Sequence, residues 1–247
     1  MIPILHVYLL GDFRLIYGDA PVTTVNTSRL QALLAYLVLQ CHAPQSRRRL
    51  AFLLWPNSTE AQAHTNLRTL FHRLRSALPT ADHFLHAEAQ TLQWLPDASF
   101  TLDVADFENG VSSANSSTIL RQALAFYHGD LLPDHYDDWL MPERERLRQI
   151  YGEALERLIL LLERERDYLA AIRYARRLLQ HDSLHESAYR YLMRLHALCG
   201  DRAEALRVYQ ACVAVLQREL TVEPSQVTRD LYERLHAEGE GSREILE

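Results

Sequence analysis

The residues with the clearest chemical potential lie between Gln62 and Arg73. Gln62, Thr65, Asn66, Arg68, Thr69, His72 and Arg73 all carry hydrogen-bonding side chains, and no acid occurs from Ala61 to Ala81. Arg, Asn, Gln and Thr are side chains that pair with base edges, and a surface that faces phosphate must avoid carboxylates. Each good bidentate pair discriminates between bases by roughly 1–3 kcal/mol. Upstream, Arg47, Arg48 and Arg49 begin a helical pattern, where cations oppose the helix dipole by roughly a few tenths of a kcal/mol. A partner's phosphates would compensate them, with Arg29 as a fourth contact. About four such contacts imply a log–log salt slope for binding of about −3.6.

Other chemistries lack their residues. All 26 basic residues are arginine, which excludes a Walker-type phosphate loop and Schiff-base chemistry within the chain. Among the 12 histidines, the pairs His83/His86 and His181/His185 do not form a helix-borne metal motif with a nearby acid. The second pair reads as solvated loop residues between repeats. Cys41, Cys199 and Cys212 fall in helix-like patterns without metal spacing and read as buried free thiols. No nucleophile with a positioned base, paired carboxylates or glycine-rich cradle is present. The expectation is a non-enzyme with no catalytic residue, metal site or cofactor.

The elements that position the polar run follow from periodicity. LHVYLLGDFRLIYGDAPV alternates around Gly11-Asp12 and turns again at Gly18-Asp19, as strands and a hairpin do. SRLQALLAYLVLQ, from Ser28 to Gln40, is an apolar helix with Thr27 or Ser28 as N-cap. SRRRLAFLLWP is a shorter helix capped by Ser46. The helix holding the polar run is capped by Ser58 or Thr59 and closed by Pro79. On its wheel, Ala63, Leu67, Leu70, Phe71, Leu74 and Leu78 gather as a core stripe. Gln62, Thr65, Thr69, His72 and Ser76 face away, with Asn66 and Arg73 on one edge and Arg68 on the other. FLHAEAQTLQWLPD then forms a second hairpin with Gln90 and Thr91 at its tip. Strands, three helices and a terminal hairpin describe a winged helix-turn-helix, in which uncharged Gln90 and Thr91 imply a weak wing contact.

Beyond Phe100 the pattern is nearly all helix, broken by a polar loop from Asn109 to Ser117 and by GDLLPDHYDDWLMPE. ALERLILLLERERDYLAAIRYARRLL aligns with AYRYLMRLHALCGDRAEALRVYQACV at an offset of 34 residues. Leu158 then matches Leu192, Asp167 matches Asp201, Ala171 matches Ala205 and Ile172 matches Leu206. A 34-residue period of paired helices is the tetratricopeptide signature. Helices at 118–128 and 143–150 supply an earlier, degenerate repeat, and SQVTRDLYERLHA a capping helix. The resulting fold class is an α+β winged helix-turn-helix followed by an all-α tetratricopeptide-like domain. Its expected boundaries are 1–103, 104–238 and a polar tail at 239–247.

The net charge of −6 is unevenly spread. Residues 1–105 hold 8 arginines against 7 acids, and from Arg29 to Arg75 there are seven arginines and only Glu60. A locally basic stretch in an acidic chain points to an anionic partner met by one region. No apolar run reaches membrane-spanning length, and no basic region precedes the N-terminal apolar residues. A cytoplasmic protein without a membrane partner is expected.

With these pieces in order, the chain resembles the Streptomyces antibiotic regulatory proteins, a family of bacterial activators. LLGDFRLIYGDAPV is similar to the family's opening strands, TSRLQALLAYLVL to its first helix and SRRRLAFLLWP to its second. TNLRTLFHRLRSAL resembles the recognition helix. HGDLLPDHYDDWL with ERERL resembles the entry to the bacterial transcriptional activator domain, and LTVEPSQVTRDLYERL its ending. The resemblance implies a response-regulator-type winged helix joined to a tetratricopeptide-type domain. It further implies double-stranded DNA as partner, promoter repeats bound as a homodimer or oligomer, and recruitment of RNA polymerase. The alternative is a protein-interaction adaptor whose winged-helix domain does not bind DNA.

Overall fold

The alternating apolar residues of LHVY form strand β1 (Leu5–Tyr8), whose inward side chains Leu5 and Val7 are buried. It pairs antiparallel with β2 (Arg14–Tyr17), which pairs with β3 (Ala20–Pro21). In this computed structural model, which describes residues 3–237, the chain divides into two compact units. The first comprises residues up to 112 together with 125–148, and the second comprises 113–124 and the residues from 149 on.

In the first unit, helix α1 (Ser28–Leu39) is capped by Thr27, and its run Ala32–Val38 is buried throughout. A two-residue strand β4 (Gln45–Ser46) leads into α2 (Arg47–Leu54), capped by Ser46. Helix α3 (Glu60–Ala77) follows after a short turn. The hairpin is β5 (Leu85–Ala87) and β6 (Thr91–Trp94), and β4 pairs with β6 to make a three-stranded sheet. Strand β7 (Phe100–Leu102) returns to lie parallel to β1, completing a four-stranded sheet of order β3-β2-β1-β7. This is the winged helix-turn-helix read from the sequence, with β4 and β7 added.

Buried Asp103 locks the return. Its carboxylate accepts from the amides of Leu9 at 2.8 Å, Leu10 at 2.8 Å and Val104 at 2.8 Å. Burial pushes its pKa up, and these backbone donors oppose that shift. Helix α4 (Asp103–Ser113) begins there, so the loop expected from Asn109 is helical as far as Ser113. Val104, Phe107 and Val111 at helical spacing give it a buried face that outweighs Asn109 and Gly110.

The irregular stretch between α5 (Ser117–Leu124) and α6 (Leu140–Arg164) folds back onto the first unit. Leu131 forms a β-bridge with Leu10, and Gly11 donates to the carbonyl of Asp130 at 2.9 Å. The buried Arg144 guanidinium holds the bend, donating to the carbonyls of Leu131 (2.7 Å), His135 (2.6 Å) and Leu132. Trp139 meets Tyr36 of α1 edge-on at 5.1 Å. Residues 143–150, expected as a separate helix, are continuous with α6, which runs on through Gly152 to Arg164.

The second unit carries the repeat. Helix α7 (Tyr168–His181) follows α6, α8 (Glu186–Leu198) pairs with α9 (Arg202–Leu220), and α10 (Gln226–Ala237) closes the array. The 34-residue offset is structural. Asp167 and Asp201 cap α7 and α9, accepting from Ala170 and Glu204 amides. Ala171 and Ala205 are fully buried, where larger side chains would push paired helices apart. Arg166 and Gly200, also 34 apart, both have positive φ, 61° and 79°. The tail expected at 239–247 lies outside the described residues.

Candidate nucleic-acid interface

Helix α3 is about 27 Å long at 1.5 Å per residue and is held by its apolar stripe. Ala63, Leu67, Leu70, Phe71 and Leu74 are buried, and Thr59 caps the N-terminus by accepting from the Gln62 amide. Leu78 is the buried C-cap. The opposite face holds Gln62, Thr65, Arg68, Thr69, His72 and Arg73 exposed, with Asn66 half-buried. The structure therefore brings all seven polar residues onto one helix. Gln62 Nε2 donates to Asn66 Oδ1 at 2.8 Å, and the Asn66 amide nitrogen and Gln62 side-chain carbonyl have no partner among the described residues. The Thr65 hydroxyl donates to the Ala61 carbonyl at 2.9 Å and keeps its acceptor capacity.

The cations differ in how far the chain itself engages them. Arg49, Arg68 and Arg73 are exposed and make no ion pair among the described residues. Arg48 lies 3.2 Å from Glu60, with both side chains more than half exposed, so the pair is worth little in water. Arg29 is committed elsewhere: its guanidinium meets Asp137 at 2.5 Å, and the Trp55 ring lies 6.0 Å away.

Arg47 has a structural task that sequence reasoning missed. Its amide donates to the Gln90 carbonyl at 2.9 Å and its Nε donates to the Glu88 carbonyl at 2.9 Å. The guanidinium also lies 5.8 Å from the centre of the Phe71 ring on α3. Burial lowers the Arg47 pKa, and the charge of Arg68 lowers it further. Arg47 thus ties the hairpin tip to α2 and marks Arg68 as its neighbour. The one available signal was Gln45-Ser46, a polar stub too short to read as a strand.

The hairpin tip is more acidic than the two residues singled out from sequence. Gln90 is exposed, and Thr91 Oγ1 donates to Glu88 Oε2 at 3.3 Å. Glu88 also stands 3.4 Å from His86. At the far end of α3, Arg75 is paired with Asp82.

The remaining histidines and thiols form no second centre. No group of three or more potential metal ligands occurs among the described residues. His181 packs edge-on to Tyr151 at 5.0 Å, and His185 stands 3.7 Å from Glu156, so both are packed in place of the solvation expected. Cys41 and Cys212 are buried; Cys199 is exposed because it is the C-cap of α8, outside the apolar face. Burial raises the Cys212 thiol pKa to about 11.

Residues 102–236 match the model of the bacterial transcriptional activator domain. The chain belongs to that family. Membership bears out the resemblance to the Streptomyces antibiotic regulatory proteins. In this activator-domain protein the matched region includes residues 125–148, which fold within the first unit.

Among solved structures, the chain is similar to Mycobacterium tuberculosis EmbR in complex with a low-affinity phosphopeptide. The TM-score is 0.77 at 23% identity, covering 96% of this chain and 66% of that one. This chain thus spans just under two thirds of the EmbR chain, and the likeness speaks for the fold. The C-terminal TPR-containing domain of a Plasmodium falciparum FK506-binding protein aligns over 57% of this chain and 91% of its own. Its TM-score of 0.38 at 17% identity carries no argument. No curated protein matches the chain. No described helix is long and apolar enough to cross a membrane.

Proposed function

We propose that this activator-domain protein is a sequence-specific DNA-binding regulator that inserts α3 into the major groove of double-stranded DNA. The observation that carries the reading is the outer face of α3, which has exposed Arg, Thr, Gln and His side chains and no acid after Glu60. A solvated helix face ordinarily mixes both signs of charge, whereas a face that must approach phosphate does not. Arg68 would donate both guanidinium nitrogens to a guanine, and the Gln62–Asn66 pair would read an adenine. Arg48 and Arg49 at the start of α2 would bind backbone phosphates, and Gln90 would touch the flanking minor groove.

On this reading the winged-helix domain ends near residue 103, and the helical domain up to residue 238 joins protomers on promoter repeats or contacts RNA polymerase. The protein acts in the cytoplasm as an activator. The test compares Arg68→Ala with a charge change on the repeats, such as Arg207→Ala, whose exposed side chain pairs with Glu204 at 2.7 Å. Retention on duplex DNA should fall at least tenfold for Arg68→Ala and remain unchanged for Arg207→Ala. Equal retention of both variants would instead favour a protein-interaction adaptor.

A further inference from the structure

The major groove is about 12 Å wide, and an α-helix with its side chains is about 10–12 Å across. A helix lying in the groove therefore sets each of its edges against one phosphate backbone. The two edges of α3 differ. Arg68 faces the side of Arg47, whose pKa its charge lowers. Arg73, five residues on, lies about 140° further round the helix axis.

There, Arg73 and His72 line an open groove of about 330 Å³ together with Thr24 and Asn26, from the loop between β3 and α1. The Thr24 hydroxyl donates to the Ala77 carbonyl at 2.5 Å, which pins this loop to the end of α3. Asn26 is exposed and makes no hydrogen bond among the described residues, and Arg73 makes no ion pair among them. The loop from Val22 to Thr27 contains no acid. One guanidinium and one side-chain amide, converging across a notch beside the helix, suit the non-bridging oxygens of a phosphodiester.

We propose that Arg73 and Asn26 form a phosphate-binding notch for the DNA strand opposite the one held by Arg48 and Arg49. Arg73 then positions α3 and does not read bases. The inference rests on the DNA reading above and deepens it, because α3 is gripped from both sides.

The test uses the full chain and a pool of randomised duplexes, with affinities measured across a salt series. Arg73→Ala should weaken every retained duplex by the same factor, on the order of fivefold to tenfold, and make the log–log salt slope shallower by about 0.9. Arg73→Lys should restore the slope. Asn26→Asp should weaken binding without altering the preferred sequence, while Arg68→Ala should alter that sequence. Thermal unfolding of each variant, expected to match the unsubstituted chain, keeps fold and contact separate. The notch is overturned if Arg73→Ala changes the preferred bases at an unaltered slope, or if Arg73→Ala and Asn26→Asp both bind normally. If the unsubstituted chain retains no duplex, the DNA reading itself fails.

Discussion

Arg47 and Arg49 are two residues apart in one arginine run, yet they should respond to substitution in opposite ways. Arg47→Ala removes the bond from Nε to the Glu88 carbonyl, a charge-assisted hydrogen bond worth about 1.5–3 kcal/mol. It also removes the guanidinium 5.8 Å from the Phe71 ring, worth about 0.5–1 kcal/mol at a partly exposed site. Against this, the repulsion between Arg47 and Arg68 disappears, which returns somewhat less than about 1 kcal/mol. The net loss is about 2 kcal/mol, concentrated in the attachment of the hairpin tip to α2. Local opening there should become about 30-fold more frequent. Native-state hydrogen exchange reads this directly at the Glu88 amide, which donates to the Thr91 carbonyl at 3.0 Å. Arg49→Ala, with an exposed side chain free of ion pairs among the described residues, should leave that exchange unchanged and weaken DNA binding. Unchanged exchange in Arg47→Ala, or equal acceleration in both variants, would refute the clamp.

Two further outcomes follow from the backbone and from burial. Arg166 has φ 61° at the position where the next repeat has Gly200. Replacing it with glycine relieves a left-handed strain of about 1–2 kcal/mol and adds about 0.5–1 kcal/mol of unfolded-state entropy. Arg166→Gly should therefore stabilise the second unit by about 0.5–1 kcal/mol and raise its urea midpoint in proportion; a lowered midpoint would contradict the repeat assignment.

His135 is buried in the stretch that folds onto the first unit, and burial lowers its pKa from 6.5. Asp137, the Ser28 backbone and Asp134 act in the opposite sense, while Arg144 adds to the lowering. Because the unfolded chain binds the proton more readily, stability from this group is complete above about pH 6.5 and is lost as the pH falls below it. His135→Gln should flatten the decline in Tm between about pH 6.5 and 5 relative to the unsubstituted chain. An identical decline would remove His135 as its source.

The legible parts of this protein were those with local causes. Thr27, Ser46 and Thr59 each cap the helix that follows because a side-chain oxygen near an apolar periodic run satisfies an orphan amide. The 34-residue offset likewise pairs Asp167 with Asp201, and both cap the helices that follow them. Strand β7 was hidden because its three residues pair with Leu5–Val7, far away in sequence, and carry no alternation long enough to detect. The stretch held by Arg144 was hidden for a similar reason: three backbone carbonyls converge on one guanidinium, and no periodicity records such a bend.

At the candidate interface, residue type and helical spacing sufficed to gather Gln62 through Arg73 on one face. They could not separate Arg29 and Arg47, engaged with Asp137 and Glu88, from Arg49, which makes no ion pair among the described residues. That distinction depends on residues 41 and 108 positions away.

In the proposed complex α3 occupies the major groove. Guanine N7 lies in that groove, so methylation by dimethyl sulfate reports its occupancy on a duplex selected from a random pool. One or more guanines within the selected sequence should be protected, with Arg68→Ala restoring methylation at a single position. Selected duplexes whose guanines all stay fully reactive in the bound state would contradict this placement of α3.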